Sequence, residues 1–298
     1  MIYIDYFKLP SQEIINNYYS QKNYSVYPWT IFFKNCFEWI NCKDITIFYG
    51  NNGSGKSTVL NLIAEKIGVK RNNELFKDVI YTKFGEIHPF DDFVDTIFMQ
   101  LSFDDNGENI SMPKHIELIT SDDIFKKINN RLNHNIKALM EIEETRKRQK
   151  EIINKGYTFH NMNDYDDLVK LVEARKLSKK KYAEIHASKK EKMLSNGETA
   201  LDIYSKAFVE GGIYFLDEPE NCLSPLFQIE LIKLIQEAVK YYNCQFFICT
   251  HSPLILSLSN SVIYNLDLEP VISKKWEELE NVKIYYDFFQ SKSNKFKK

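Results

Sequence analysis

The stretch Gly50-Asn51-Asn52-Gly53-Ser54-Gly55-Lys56-Ser57 spaces its glycines, lysine and serine as a loop that grips phosphate. Gly53 and Gly55 let main-chain N–H groups come close to phosphate oxygens, and Lys56 is long enough to reach the outer two phosphates of a triphosphate. The Ser57 hydroxyl suits Mg2+, while Asn51, Asn52, Ser54 and Thr58 supply further backbone donors around the helix start. A second group of reactive side chains stands at Asp217-Glu218, where the apolar run Ile213-Tyr214-Phe215-Leu216 ends. Asp217 is placed to bind Mg2+ through water, and Glu218 to take the proton of an attacking water. His251 follows a further apolar run, Gln245–Cys249, and suits contact with a terminal phosphate or with that water.

Three buried strands followed by loops are needed to hold these groups together. Ile45–Tyr49 precedes the glycine-rich loop, and Thr58–Ile67 after it has helical periodicity. Continuous apolar strands alternating with helices in residues 194–249 indicate a parallel sheet covered on both faces. Short strand-like pieces dominate the first 49 residues: Ile2–Phe7, Trp29–Phe33 and Ile45–Tyr49. His115–Thr120 reads as a strand leading into Ser121-Asp122-Asp123, which caps a long helix with Ile124, Ile128, Leu132, Ile136 and Leu139/Met140 on its apolar face. A second helix starts at Asn163 or Asp164, with Leu168, Val172, Tyr182 and Ile185 buried. Each helix spans about 28 residues, roughly 40 Å. No heptad repeat persists, so the two form a short hairpin lobe.

The formal net charge of −2 conceals a polarised chain. Lys126–Lys192 holds 18 basic against 10 acidic residues, and the remainder holds 21 against 31. A basic lobe could meet an acidic partner such as DNA or RNA, or be a solvated helical face. Five cysteines (Cys36, Cys42, Cys222, Cys244, Cys249) without CxxC spacing read as free thiols in a reducing cytoplasm. The N-terminus lacks a signal-peptide layout, and no apolar run is long enough for a membrane span.

Taken in order, these pieces resemble the ABC-type ATPase heads. Walker A lies at Gly50–Ser57, an LSGGQ-like signature at Leu194-Ser195-Asn196-Gly197-Glu198, Walker B at Ile213–Glu218, a D-loop at Glu220–Ser224 and a switch histidine at His251. "LDEPENCLSP" with "THSP", and "KWEELENVKIYYDFF" at 275–289, are most similar to stand-alone bacterial AAA-family ATPases related to SMC and DNA-repair heads. The resemblance covers about residues 29–289. It implies an α/β P-loop NTPase of ABC-ATPase type with a mixed or parallel sheet core, N-terminal antiparallel strands and an inserted α-helical hairpin lobe. One domain, 1–298, would carry the lobe at about 121–193.

The resemblance also implies ATP and Mg2+ as cofactors, and head-to-tail homodimers in which Ser195, Asn196, Gly197 and the helix start close over the partner's ATP. Glu198 would lie beyond the phosphate-facing turn. Ser224 stands where many relatives have aspartate. The passage Ile119–Phe125 puts Ser121 or Asp122 near the metal, with Gln100 as the rival, and Tyr24 or Tyr27 would stack on adenine. A separate nuclease or toxin, in DNA repair or phage defence, is the implied partner. The alternatives are a transporter's nucleotide-binding subunit, a nuclease and a non-hydrolysing structural protein.

Overall fold

The computed structural model describes residues 2–22, 26–35, 37–69, 79–82, 85–155, 165–188 and 194–296. The chain divides into two compact units, Met1–Ile124 with Asn196–Lys298, and Phe125–Ser195.

In chain order the first unit begins with β1 (Ile4–Lys8), α1 (Gln12–Lys22), α2 (Trp29–Asn35), β2 (Trp39–Asn41), β3 (Ile45–Tyr49) and α3 (Lys56–Lys66). Next come β4 (Ile80–Thr82), β5 (Gly85–Ile87), α4 (Pro89–Thr96), β6 (Phe98–Leu101), β7 (Ile116–Thr120) and the start of α5 (Ser121–Asn154). The second unit continues α5 and adds α6 (Tyr165–Lys176) and α7 (Lys179–His186). The chain then returns to the first unit with α8 (Asn196–Ala207), β8 (Ile213–Asp217), α9 (Pro225–Tyr242), β9 (Gln245–Cys249), β10 (Ser261–Asn265), β11 (Ile272–Lys274) and α10 (Glu280–Ser291).

The main sheet has the order β11-β10-β3-β9-β8-β7, parallel throughout except at the β10–β11 edge. Every residue of β3, β8 and β9 is buried. That is why these strands read as unbroken apolar runs: both faces are covered, so no position faces water. Val59, Leu60, Leu62, Ile63 and Ala64 of α3 are fully buried in the core. The register pairs Asp217 with Cys249, and Cys249 with Phe48. Three loops, starting at Gly50, Glu218 and Thr250, therefore leave the sheet side by side at its carboxyl end, where open α/β sheets place their chemistry.

A smaller antiparallel sheet has the order β2-β1-β6. It is tied to the main one by Gln245, a wholly buried amide. Its Oε1 accepts from the N–H groups of Tyr3 and Ile4, each at 3.0 Å, and its Nε2 donates to the carbonyls of Ile4 and Lys43 at 3.0 and 3.1 Å.

One expected strand is a helix. Trp29–Phe33 lies in α2, where Trp29 and Phe32, three apart, share a buried face against Phe93 at 4.9 Å each. The apolar run satisfies a helical stripe as well as a strand, and tertiary packing on Phe93 decides for the helix.

The helices of residues 121–186 also depart from expectation. The cap of α5 is a reciprocal pair one residue earlier: Asp123 N–H donates to Thr120 Oγ1 at 3.2 Å, and Asp123 Oδ2 accepts from that hydroxyl at 2.7 Å. Ile124 and Ile128 are buried, but Leu132, Ile136, Leu139 and Met140 are exposed, and Asn135, Ala138 and Gln149 are buried instead. In place of one long second helix there are two, separated at Leu177-Ser178. Gln149 Nε2 donates to the Ala174 and Leu177 carbonyls, ending α6, and Ser178 Oγ accepts from Lys181 N–H, starting α7. Of the residues expected inside, Tyr182 is buried, Leu168 is half-buried, and Val172 and Ile185 are exposed. The expected start at Asn163 or Asp164 lies outside the described residues.

Candidate active site

The phosphate loop is shaped by left-handed glycines. Gly53 has φ +86° and Gly55, which precedes α3, has φ +93°. A side chain at Gly55 would also strike Ile31. No side chain caps α3, and its first turn has no acidic residue. Its leading N–H groups and the positive end of its dipole are thus left for an anion. Among the described residues Ser54 Oγ is buried without a partner, and Lys56, itself buried, donates to the Gly50 and Asn51 carbonyls at 2.8 and 3.0 Å. Among the described residues this ammonium is held only by its own loop's carbonyls, so it can turn to a phosphate without breaking a salt bridge. Asn51 N–H donates to both Asp267 carboxylate oxygens at 2.9 and 3.0 Å, bracing the loop's outer end.

Ser57 Oγ donates to Asp217 Oδ1 at 2.8 Å, bringing together two groups that the sequence separates by 160 residues. Glu218, in the left-handed region with φ +49°, follows directly. Its Oε2 accepts from Asn221 Nδ2 at 3.0 Å, and its Oε1 is 4.0 Å from His251 Nδ1. Asn221 Nδ2 also reaches Ser121 Oγ at 3.5 Å, linking the glutamate to the start of α5. Cys249 donates to the Lys56 carbonyl at 3.1 Å, and burial pushes its thiol pKa far up, so it is a neutral packing group.

Glu220 is the residue whose role the sequence did not reveal. It is 7 % exposed, and its Oε1 accepts from Thr250 Oγ1 (2.7 Å), His251 N–H (2.9 Å) and Ser252 N–H (3.2 Å). His251 Nδ1 lies 3.2 Å from the same oxygen. One carboxylate oxygen thus fixes both the backbone and the ring of the histidine loop, leaving Nε2 as the ring nitrogen for a phosphate. Asn281 in α10 donates to the His251 carbonyl. A signal was present only in the acidic residue three positions beyond Asp217. Its partners lie some 30 residues further on.

The other expected residues are placed as follows. Asp122 is exposed on the first turn of α5, near enough to Cys222 to help raise that thiol to about 11, after burial. Gln100 lies in β6 of the smaller sheet, donating to Leu101 O and Asn109 Oδ1. Tyr27 donates to Thr58 Oγ1 at 3.2 Å and stacks on Phe90; Tyr24 lies outside the described residues. Ser195, Asn196 and Glu198 are exposed at the start of α8, whereas Gly197 is buried. A Cβ on Gly197 would come within 2.4 Å of the Phe227 ring, so this glycine lets α8 lie directly on α9.

The ABC transporter family model matches residues 34–221 of this chain. The chain belongs to the ABC transporter family. A model of the AAA ATPase domain matches residues 206–256. None of the curated proteins matches the chain. Among solved structures it is similar to the SMC head domain from Thermotoga maritima, with 14 % identity over 92 % of this chain and 100 % of that one, at a TM-score of 0.43. It is also similar to an Smc head domain with an extended coiled coil, bound to the C-terminal domain of ScpA, from Pyrococcus furiosus (14 % identity, 97 % and 100 % covered, TM-score 0.40). A third is a dimeric ATP-binding cassette in a post-hydrolysis state with ADP and Pi (18 %, 80 % and 88 %, TM-score 0.34).

ABC ATPases bind ATP with Mg2+, and the residues of this ABC member fit both. The uncapped start of α3, the orphan Ser54 hydroxyl and the lysine without a carboxylate suit the phosphates. The Ser57–Asp217 pair offers an oxygen set for the metal, which would neutralise charge on the outer phosphates. Among the described residues, no helix is long and apolar enough to cross a membrane.

Proposed function

We propose that the chain hydrolyses ATP, and that two copies close head to tail over the nucleotide to work a separate effector or a nucleic-acid transaction, as in DNA repair or phage defence. Hydrolysis follows from the roles assigned by the motifs. Glu218 takes a proton from water as its oxygen bonds to the γ-phosphorus, and the bond from that phosphorus to the ADP oxygen breaks. Lys56 and the α3 N-terminus stabilise charge on the phosphates, and His251 is held ready by Glu220. Asp122 is the remaining candidate near the metal.

The observation that carries the reading is the Lys56–Ser57–Asp217–Glu218–His251 cluster at the carboxyl end of the main sheet. Dimer closure is supported by the exposed Ser195 and Asn196 at an N-terminal helix turn, a form of site that favours anions. The Lys126–Lys192 segment, with its exposed Lys179, Lys180 and Lys181, is the surface assigned to nucleic acid. Its binding would weaken steeply with salt as counterions are released.

Light scattering with and without ATP tests the dimer. Glu218→Gln should bind ATP and accumulate as a dimer; Lys56→Ala should bind none and stay monomeric. A Glu218→Gln protein that binds ATP yet remains monomeric refutes head-to-tail closure. DNA affinity unchanged after neutralising the three lysines removes the nucleic-acid surface. The matched family includes transporter subunits, and co-purification with a permease would assign the chain there instead.

A further inference from the structure

Among the described residues, the Glu218 carboxylate has a single hydrogen-bond donor, and it is the side chain of Asn221. Glu218 itself is held at an uncommon backbone angle, φ +49°, which a residue with a side chain keeps only where its surroundings fix it. Its N–H donates to the Cys249 carbonyl at 2.9 Å, and its carbonyl accepts from Asn221 N–H at 3.2 Å. Asn221 stands exposed in the short helical turn Pro219–Cys222, and its Nδ2 donates to Glu218 Oε2 at 3.0 Å. Asn221 thus closes on the glutamate twice, once at the backbone and once at the carboxylate. The other carboxylate oxygen, Oε1, is 4.0 Å from His251 Nδ1, beyond hydrogen-bond reach. The Glu218 side chain is 27 % exposed, so water can come to it.

The chemistry of its neighbours fixes which way the amide faces. One neighbour is the Glu218 carboxylate, which when ionised can only accept, and the other is Ser121 Oγ at 3.5 Å. The NH2 end suits both, whereas the amide oxygen would oppose a carboxylate oxygen. The bond to Ser121 is long, so it steadies the amide and the bond to Glu218 is the strong one. With an N–H on Oε2, that oxygen is occupied, and Oε1 is the one left open to receive a proton.

We infer that Asn221 is a positioning residue for Glu218: it ties down Oε2 and so turns Oε1 to the attacking water. This rests on the reading of Glu218 as the base. In that step Oε1 takes one proton of the water while the water oxygen bonds to the γ-phosphorus. The bond from that phosphorus to the ADP oxygen breaks, and ADP leaves with its electron pair. Asn221 exchanges no proton and touches neither water nor nucleotide. Its whole effect is on where Oε1 stands, and a misplacement of about 1 Å at a reacting group can cost about a hundredfold in rate.

Two variants of the full chain test this. Asn221→Asp keeps the shape and removes the donor, and Asn221→Ala removes both. Each should lower kcat for ATP by about tenfold to a hundredfold, with KM and the calorimetric affinity for ATP unchanged. The decisive comparison adds Glu218→Gln and uses a single-turnover assay. If Asn221 works through the glutamate, Asn221→Ala should cost nothing further once Glu218 is gone, a non-additivity that a merely structural contact would not give. The contact itself is read without nucleotide, by NMR on protein with isotope-labelled asparagine. The Asn221 Nδ2 proton facing the carboxylate should stand downfield of its twin and move upfield in Glu218→Ala. Its signal is assigned by its loss in Asn221→Asp.

Unchanged turnover in both Asn221 variants overturns the inference. So does the same fold-loss on the wild-type and Glu218→Gln backgrounds, which would have Asn221 act on the fold or on a second copy. A loss carried by KM alone would make Asn221 a nucleotide-binding contact instead, and an NMR signal indifferent to Glu218→Ala would remove the contact. Full turnover in Glu218→Gln would defeat the base reading, and the positioning role would fall with it. The spectrum still reports the contact in that case, so the two failures are told apart.

Discussion

Gly197→Ala isolates what the glycine of the signature turn does. The added Cβ would lie 2.4 Å from Phe227 Cδ2, 2.7 Å from Cε2 and 3.3 Å from Cγ. Carbon atoms in contact sit about 3.5–4.0 Å apart, so the ring or the start of α8 must yield by about 1 Å. Overpacking of this kind costs about 1–3 kcal/mol. Alanine returns up to about 1 kcal/mol in helix propensity, so the single variant should lose up to about 2 kcal/mol. For a unit of this size a loss of about 2 kcal/mol is about 4–8 °C in Tm. The double-mutant cycle with Phe227→Leu is cleaner, since the propensity gain cancels. It should leave a coupling of about 1–3 kcal/mol between the two positions. Thermal and urea melts of the four proteins give that value directly. The same displacement moves Ser195 and Asn196, so ATP-dependent dimerisation lost in Gly197→Ala should return in the double variant. Additivity within about 0.5 kcal/mol would refute the packing argument. Recovered stability without recovered dimerisation would instead show that this glycine is needed at the nucleotide itself.

Other perturbations test separate parts of the chain. Glu218→Gln should lower ATP turnover by about 10²–10⁴ at saturating ATP, the worth of a general base, and a smaller loss in a phosphate-release assay would take that role from Glu218. Gln245→Ala, which strands the Tyr3 and Ile4 N–H groups, should cost about 2–4 kcal/mol in a urea melt, and an unchanged midpoint would mean water replaces the amide. Cys222, with its thiol pushed up to about 11 chiefly by burial and then by Asp122, is neutral below that pH. Its alkylation, followed by peptide mass spectrometry, should therefore climb about tenfold per pH unit from 7 to 10; a plateau near pH 8 would contradict the shift. Thr120→Ala removes the α5 cap and should destabilise by about 1 kcal/mol.

What the sequence could disclose depended on distance along the chain. β3, the glycine loop and α3 form one continuous passage, and the closing strand of Asp217-Glu218 announces itself by an apolar run. Each is specified by neighbours within about ten residues. Glu220 takes its meaning from Thr250, His251 and Ser252, and Asn281 from His251, pairs that no local pattern joins. Trp29–Asn35 misleads for the opposite reason: its run of apolar residues is compatible with two periods, and Phe93 makes the choice. Along α5 the apolar stripe is real, yet the buried side beyond Ile128 runs through Asn135, Ala138 and Gln149. The polar Gln149 is inside because it closes α6.

The position of β3 between β9 and β10 has a consequence for how the molecule is made on the ribosome. Both neighbours are encoded about 200 residues later, so the strand behind Lys56 emerges with neither flank available. The long excursion through α5, α6 and α7 is synthesised in the interval, built from local contacts that can form early. Until β9 and β10 have left the exit tunnel, the apolar β3 waits without a strand on either side, which is when a chaperone would be needed most. Stalling translation before and after β10 should therefore separate nascent chains that cannot hold nucleotide from chains that can.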